Sequence, residues 1–184
     1  MPPLESTQSL KIGSPCPRFS LTDVRTGMPA GPEDFAGKPL LVAFICNHCP
    51  FVKHIRAELA ALSADAAARG WGCLFVCSND EGKYPADGPD AMKAEAADAG
   101  YRCPYLHDRT QEVARQFDAA CTPDFFVFDR QHLLAYAGQL DDSRPGNGLP
   151  VTGADLRAAI DACLAGRPCA SAQKRSIGCS IKWR

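Results

Sequence analysis

The fold is decided by one stretch of the chain, Leu40-Leu41-Val42-Ala43-Phe44-Ile45-Cys46-Asn47-His48-Cys49-Pro50. Its first six residues form a continuous apolar run of the kind that is buried on both faces of a parallel sheet. From Pro50 to about Ala68, apolar residues return every three or four positions, which predicts an amphipathic helix. We therefore expect a buried strand that ends at Cys46 and a helix that carries Cys49 about one turn after its start.

A Cys-x-x-Cys motif between a strand and a helix favours thiol redox chemistry. Unpaired amides and the positive end of the helix dipole stabilise a thiolate, so we expect a lowered pKa at the first cysteine, Cys46. Cys49 would then resolve a mixed disulfide. His48 would stabilise the reduced thiolate further and make the pair a stronger oxidant. Pro50 fits the first turn, where no N–H partner is needed. Cys46, Cys49 and His48 are thus the predicted catalytic residues.

The same motif could serve other chemistry. A structural zinc site needs a second ligand pair, and c-type haem attachment needs His after the second cysteine, where this chain has Pro50. For the redox interpretation we therefore expect no metal and no cofactor. A non-enzymatic alternative stays open, in which Cys46, Cys49 and His48 or Cys121 bind Cu(I) or zinc through soft thiolates.

A second motif, Cys121-Thr122-Pro123, precedes another apolar run at 125–128. We expect Pro123 to form a cis peptide bond that faces the dithiol, since cis bonds form at low cost only before proline. Thr122 would then present backbone groups to an extended peptide. Thr122, Pro123, Cys121 and Asn47 are the predicted substrate-binding residues.

The remaining patterns predict an α/β protein with a central mixed sheet flanked by helices on both faces. Strands are predicted at 18–21, 74–77, 105–106, 125–128 and 133–136, the last two as a hairpin, and helices at 90–99, 110–117 and 152–164. Residues 82–89 read as an irregular loop. We expect a single domain over 1–184, with a core at about 10–166, an N-terminal extended arm and a C-terminal tail, 167–184, without clear periodicity.

Composition excludes several classes of function. The 184 residues carry a net charge of −1, so electrostatics do not favour nucleic acid or a membrane surface as a partner. No apolar run approaches the roughly 20 residues that span a bilayer. The first residues lack the basic start and apolar stretch of a signal peptide, so we expect a soluble, cytoplasmic protein. Most of the ten cysteines are then expected to be reduced and to pack as small apolar residues.

With these motifs in view, the chain resembles the thioredoxin superfamily and, within it, the alkyl hydroperoxide reductase/thiol-specific antioxidant group, in a branch called peroxiredoxin-like proteins. The resemblance spans about Lys11 to Trp183 and is carried by the segments 13–23, 34–39, 46–53, 121–126 and 176–183. It implies a thioredoxin-like fold and a thiol–disulfide oxidoreductase acting on a disulfide-containing protein or a small thiol. By resemblance, Cys46 takes the place of the attacking cysteine and Cys49 that of the resolving one.

The resemblance also implies a second enzymatic interpretation, because peroxiredoxins place their peroxidatic cysteine at Cys49. The substrate would then be a peroxide. Peroxiredoxins set Pro and Thr or Ser seven and three residues before that cysteine, and here Val42 and Cys46 stand instead. The position of their Arg falls near Pro123. This chain therefore lacks the hydrogen-bonding set that would stabilise the peroxide transition state.

Four further features stay open at the level of sequence. His54 and His107 are read as surface and loop residues that could alternatively assist catalysis or bind metal. The polar segment 141–144 is read as a solvated loop that could line the dithiol site. Cys179 is read as a packing thiol that could instead act as a second resolving thiol or pair with Cys169.

Overall fold

The computed structural model of the protein describes residues 3–7, 9–170 and 173–184. The strands are β1 (Leu4–Glu5), β2 (Leu21–Thr22), β3 (Pro29–Ala30), β4 (Leu40–Phe44), β5 (Gly72–Cys77), β6 (Tyr105–His107), β7 (Cys121–Thr122), β8 (Asp124–Phe128), β9 (Leu134–Gly138) and β10 (Ile177–Ser180). The α-helices are α1 (Pro50–His54), α2 (Arg56–Arg69), α3 (Pro89–Ala99), α4 (Glu112–Phe117) and α5 (Ala154–Leu164). Short 3-10 turns lie at Pro32–Phe35 and Pro85–Asp87.

The central sheet has five strands in the order β6-β5-β4-β8-β9. Strands β4, β5 and β6 are parallel, whereas β8 runs antiparallel to β4 and β9 antiparallel to β8. The decisive run therefore forms the middle strand, with a neighbour on each side. The predicted mixed sheet and the hairpin between its last two strands are confirmed.

Alternate residues of β4 face two separate cores. Leu41 and Ala43 pack with helices α1, α2, α3 and α5 on one face of the sheet. Leu40, Val42 and Phe44 pack with α4 and part of the N-terminal arm on the other. All five residues are at most 1 % exposed, because a central strand covered on both sides has no solvent face. Helices on both faces were predicted, and this too is confirmed.

The C-terminal tail contains a strand that its sequence did not predict. Strand β10 pairs with β1 on one side and with β7 on the other, in a small antiparallel sheet separate from the central one. It also lies against α1. The expectation of a tail without regular structure is therefore wrong for Ile177–Ser180, and this strand brings Cys179 to the dithiol.

The helix expected from Pro50 to about Ala68 is two helices. Helix α1 ends at His54, and Ile55, with φ −102° and ψ 10°, separates it from α2. Gly70 ends α2 in the left-handed conformation, as expected for a glycine after a helix.

In the part of the chain that the structure describes, we find no helix with the length and apolar character needed to cross a membrane.

Candidate active site

The two cysteines of the motif lie in the connection between β4 and α1. Cys49 is the N-cap of α1, in extended backbone conformation, and Pro50 is the first helical residue. Cys46 lies three residues earlier in the connecting loop. This corrects the predicted placement, since it is the second cysteine, not the first, that stands at the start of the helix. The reason is that the loop continues for five residues beyond β4 before the helix begins.

Both sulfurs contact Thr122, the residue before the proline of the second motif. The Cys46 Sγ lies 3.3 Å from the Thr122 hydroxyl oxygen. The protonated Cys49 thiol donates to the Thr122 carbonyl oxygen at 3.2 Å. The Thr122–Pro123 peptide bond is cis, as predicted. Strand β7 and the dithiol loop are thus held together although they are more than 70 residues apart in sequence.

The surroundings of the Cys49 sulfur favour its thiolate form. Chiefly through the hydrogen bond that it accepts from the Cys46 thiol, the pKa of Cys49 falls to about 5. The Cys179 thiol and the amides of Val52 and Cys179 act in the same direction, whereas burial opposes them. The Thr122 carbonyl also opposes ionisation, because it can accept only from the protonated thiol. Four donors against one acceptor leave the balance with the thiolate.

The Cys46 sulfur is the opposite case. The hydrogen bond that its thiol donates to Cys49, its burial and the nearby Asp87 carboxylate all raise the pKa of Cys46 above the ordinary value. The expectation that Cys46 carries the acidic thiol is therefore corrected. The main physical cause is the hydrogen bond between the two thiols, which Cys46 donates and Cys49 accepts, and the Val52 amide at Cys49 and the Asp87 carboxylate at Cys46 add to it.

A third cysteine, Cys179, belongs to the same cluster. It pairs with Thr122 in the β10–β7 ladder and contacts the Cys49 sulfur through both its thiol and its amide. Burial first, and then the interaction with Cys49, raise the pKa of Cys179 to about 12. It is therefore a protonated donor toward Cys49. In the sequence, its distance of 130 residues from Cys49 hid this relationship.

Neither sulfur of the motif is open to solvent. Cys46 is 1 % exposed and Cys49 is fully buried, while Cys179 is partly exposed. Strand β10 occupies the edge of β7 at which an extended peptide was expected to bind. Thr122 does present its backbone to an extended segment, but that segment is the protein's own tail.

A buried carboxylate that sequence analysis missed organises the loop around the dithiol. Asp87 is fully buried in the turn Pro85–Asp87 and accepts hydrogen bonds from the Asn47 amide at 2.8 Å and the Asn79 side chain at 2.8 Å. Its other close partner is His48, whose Nδ1 lies 2.5 Å from a carboxylate oxygen. The His48 ring also stacks on Tyr84, with ring centroids 4.9 Å apart.

The available sequence signal for Asp87 was weak. The turn follows β5, whose carboxyl end lies beside that of β4, and side chains after neighbouring parallel strands meet at one edge of the sheet. A carboxylate within the loop predicted at 82–89 could have been considered on that ground.

The family model described as the AhpC/TSA family matches residues 12–137, well over half of the chain. The chain belongs to the AhpC/TSA family. This confirms the resemblance found in the sequence at the level of the family. A comparison with curated protein sequences gave no match.

Two solved structures resemble this AhpC/TSA protein along almost their whole length. An uncharacterized conserved protein from Geobacillus kaustophilus is 51 % identical with a TM-score of 0.96, and the match covers 100 % of this chain and 97 % of that one. A hypothetical protein from Sinorhizobium meliloti 1021 is 46 % identical with a TM-score of 0.94, and the match covers 98 % of each chain.

A more distant match shows the fold alone. A thioredoxin-family thiol:disulfide interchange protein from Chlorobium tepidum TLS has a TM-score of 0.64 at 19 % identity, covering 84 % of this chain and 98 % of that one. The AhpC/TSA chain therefore has the thioredoxin-like fold that its sequence predicted.

Within this AhpC/TSA fold, two of the predicted substrate-binding residues are engaged internally. The Asn47 side chain donates to the Ala86 carbonyl at 2.7 Å and accepts from the Tyr105 hydroxyl at 2.9 Å. Cys121 is fully buried, and its thiol donates to the Pro123 carbonyl at 3.6 Å. Burial raises the pKa of Cys121. The side chains of both residues therefore bond to other parts of the protein, and their direct contact with a substrate stays a prediction.

Of the residues whose role the sequence left open, His54 and the segment 141–144 lie near Pro123, and His107 does not. His54 is bonded to the Ser143 hydroxyl at 2.7 Å, and both border a small cavity beside Pro123, together with Phe51 and Arg144. The segment 141–144 therefore does reach the neighbourhood of the cis proline. His107 lies instead at the end of β6, 3.5 Å from the Glu81 carboxylate.

Proposed function

We propose that this AhpC/TSA protein is a thiol–disulfide oxidoreductase in which Cys49 is the nucleophile and Cys46 its exchange partner. The observation that carries the proposal is the position of Cys49, which is the N-cap residue of α1 and whose sulfur accepts a hydrogen bond from the Cys46 thiol. A sulfur that is ionised at neutral pH attacks disulfides, whereas a thiol does not. This assigns the two roles in the opposite order from the one that resemblance to thioredoxin implies.

The exchange proceeds in two balanced steps. The Cys49 thiolate attacks one sulfur of a substrate disulfide, and the other sulfur leaves as a thiolate. Cys46 then loses its proton and attacks the Cys49 sulfur, which forms the Cys46–Cys49 disulfide and releases the second substrate thiolate. The substrate disulfide is reduced by two electrons and the protein dithiol is oxidised. In the reverse direction the same steps oxidise a substrate dithiol.

The Asp87–His48 pair is suited to accept the proton of Cys46. Ligand atoms of Cys46, His48 and Asp87 all lie within 4.8 Å of one another. Asp87 orients the imidazole through Nδ1, as a carboxylate does for a catalytic histidine. The predicted catalytic role of His48 is thereby refined from tuning the potential to handling a proton.

Substrate access requires strand β10 to separate from β7. We propose that a substrate peptide then pairs with Thr122 in place of Cys179, by β-strand addition at the freed edge. The contact to be broken is short, since in the described part of the chain it consists of Cys179 and Ser180 paired with β7 and of the Ile181 amide, which donates to the Ala120 carbonyl at 3.0 Å.

Mixed-disulfide trapping tests the assignment of roles. The variants Cys46→Ser and Cys49→Ser are incubated with a protein disulfide such as insulin, quenched in acid and analysed by mass spectrometry. If Cys49 attacks, Cys46→Ser accumulates a mixed disulfide at Cys49, and Cys49→Ser accumulates none. Trapping at Cys46 in the Cys49→Ser variant would restore the order expected from sequence. Turnover by a variant that lacks both cysteines would remove the oxidoreductase proposal altogether.

Peroxide reduction is the second candidate, and the acidic Cys49 thiol favours it. The thiolate would attack one peroxide oxygen to give a sulfenic acid, while the other oxygen leaves as hydroxide or alkoxide, and Cys46 or Cys179 would then convert the sulfenic acid to a disulfide with release of water. Val42 and Cys46 stand at two positions of the peroxiredoxin hydrogen-bonding set, so we expect slow turnover. Stopped-flow measurement decides, since peroxide consumption no faster than that of a free thiol would eliminate this activity.

Metal binding is the third candidate. The atoms of Cys46, His48 and Asp87 are close enough to share one ion, with Asp87 where the sequence had offered Cys49 or Cys121. Thiolate, imidazole and carboxylate together suit zinc. Elemental analysis of the purified protein tests this, and metal at well below one equivalent would count against it.

A further inference from the structure

A second pair of cysteines lies outside the site described above. Cys163 belongs to α5, and Cys169 follows the end of that helix. Their sulfur atoms are 3.9 Å apart, and both are free thiols. An S–S bond of about 2 Å would need an approach of roughly 2 Å, within the reach of side-chain rotation and small backbone shifts.

The local sequence explains why these two sulfurs meet. Gly166, with φ +65°, reverses the chain directly after α5. The reversal is fixed by backbone hydrogen bonds from Gly166 to the Cys163 carbonyl at 3.2 Å and from Arg167 to the Ala162 carbonyl at 2.8 Å. This is a glycine-dependent helix ending, and it returns Cys169 to the helix side that carries Cys163.

The two thiols are not equivalent. Cys163 is buried, and both the hydrogen bond that it donates to Cys169 and its burial raise its pKa. Cys169 is partly exposed, and the same hydrogen bond lowers its pKa. An accessible, more acidic sulfur next to a buried, less acidic one is the arrangement that a nucleophile and a resolving thiol require.

The pair opens onto a groove of about 610 Å³, which is large enough for a small organic ligand. Its walls come from the β8–β9 hairpin and from the chain after α5. Charged and polar side chains around it are those of Asp129, Arg130, Gln131, Arg167 and Gln173.

We propose that Cys163 and Cys169 form a second redox-active dithiol, which exchanges with a low-molecular-weight disulfide such as oxidised glutathione. The Cys169 thiolate attacks the small disulfide and forms a mixed disulfide, with one small thiolate leaving. Cys163 gives up its proton, attacks the Cys169 sulfur and expels the second small thiolate. One small disulfide becomes two small thiols, and the protein gains the Cys163–Cys169 disulfide.

Glutathione equilibration of the full chain tests this proposal. Protein in buffers of increasing oxidised-to-reduced glutathione ratio is quenched in acid, alkylated, digested and mapped by mass spectrometry. We expect a cross-linked Cys163–Cys169 peptide, with the alkylatable fraction of Cys169 falling at least about tenfold across the series. The same result is expected in the Cys46→Ser/Cys49→Ser variant, so that failure here and failure of the proposed function are distinguishable.

Single variants provide the matched control. In Cys163→Ser, one glutathione should remain attached to Cys169, because the resolving thiol is absent. In Cys169→Ser, Cys163 should stay unmodified, because it is buried. The proposal is overturned if Cys169 stays alkylatable at every ratio in the wild type. It is equally overturned if Cys169 is found linked to a cysteine other than Cys163.

Discussion

The two dithiols lie at opposite ends of helices. Cys49 caps the start of α1, whereas Cys169 follows the end of α5 and donates to the Ala159 carbonyl at 3.6 Å. At the first dithiol, backbone amides add to the effect of the partner thiol and lower the pKa of Cys49 to about 5. At the second, among the described residues, the partner thiol lowers the pKa of Cys169, and burial and the Asp129 carboxylate oppose it.

The difference teaches that sulfur separation alone does not define a catalytic dithiol. At Cys49 the partner thiol is the main acidifying contact and backbone amides add to it, whereas Cys169 follows a helix end, where the backbone dipole does not favour a thiolate. The solvent exposure of the two nucleophiles differs in the opposite direction. The acidic Cys49 is fully buried under β10, whereas Cys169 is partly exposed. We therefore expect a strong but guarded nucleophile at the first site and a weaker, accessible one at the second.

The largest expected effect is on the rate of insulin-disulfide reduction, and it tests whether the two dithiols differ in activity. Cys49→Ser should reduce insulin-disulfide reduction to the uncatalysed rate, because the ionised sulfur is lost. Cys169→Ser should leave that rate within about twofold, because the second dithiol lies outside the site. Turbidity of reduced insulin follows both. Equal losses in the two variants would mean that the dithiols act in series.

A second test removes the partner thiol from Cys49. In Cys46→Ala the sulfur loses its main hydrogen-bond donor, so the pKa of Cys49 should rise from about 5 toward the ordinary 9.0. Thiolate absorbance in the ultraviolet, taken as a difference from Cys49→Ser, gives the titration. Alkylation of Cys49 at pH 6 should slow by roughly tenfold for each unit by which the pKa rises above 6. An unchanged titration would show that the Cys179 thiol and the amides of Val52 and Cys179 acidify the sulfur without Cys46.

A third test displaces strand β10, which covers the first dithiol. A methyl group on Gly178 would overlap the Thr122 carbonyl, so Gly178→Ala must push β10 away from β7. Alkylation of Cys49 should accelerate by about tenfold, the effect of an opening that becomes roughly 1.4 kcal/mol easier. Gly82→Ala is the control, because its methyl meets only the side-chain end of Asp80. Equal rates in both variants would contradict a covering role for β10.

The last test concerns protein stability and the carboxylate of Asp124, which lies beside Pro123. Burial raises the pKa of Asp124 to about 7, although the Ser6 hydroxyl donates to it at 2.8 Å. A pKa above the ordinary 3.8 means that its stabilising contribution is complete below pH 3.8 and is lost as pH rises through about 7. Asp124→Asn should therefore gain about 2–3 kcal/mol relative to wild type between pH 5 and pH 8. Thermal unfolding at both pH values measures the difference, and a constant offset would refute it.

The sequence predicted the parts of this structure that depend on local pattern. The apolar run of β4, the β8–β9 hairpin and helix α5 each carry their periodicity or turn residues within a few positions. Strand β10 could not be found in this way, because it is a short segment without alternation. What makes it a strand is pairing with Leu4 and Thr122, which are distant in the chain.

The residues of the candidate site were largely predicted from the sequence, but their arrangement was not. Both cysteines of the motif and the cis Pro123 are brought together as expected. The order of acidity was inverted, because it depends mainly on which thiol donates to the other, and that contact depends on a loop geometry without a local sequence signal. Asp87 was missed because a buried carboxylate in a turn has no periodic signature.

The pairing of β10 with β7 has a consequence for which substrates this protein accepts. The tail and an incoming peptide compete for one edge, so the observed dissociation constant equals the intrinsic one divided by the fraction of molecules with the edge free. If roughly one molecule in a hundred has a free edge, binding is weakened about a hundredfold for every ligand alike. Only chains that form a longer ladder than the tail's own would overcome that handicap, so selection would act through backbone length as much as through side chains.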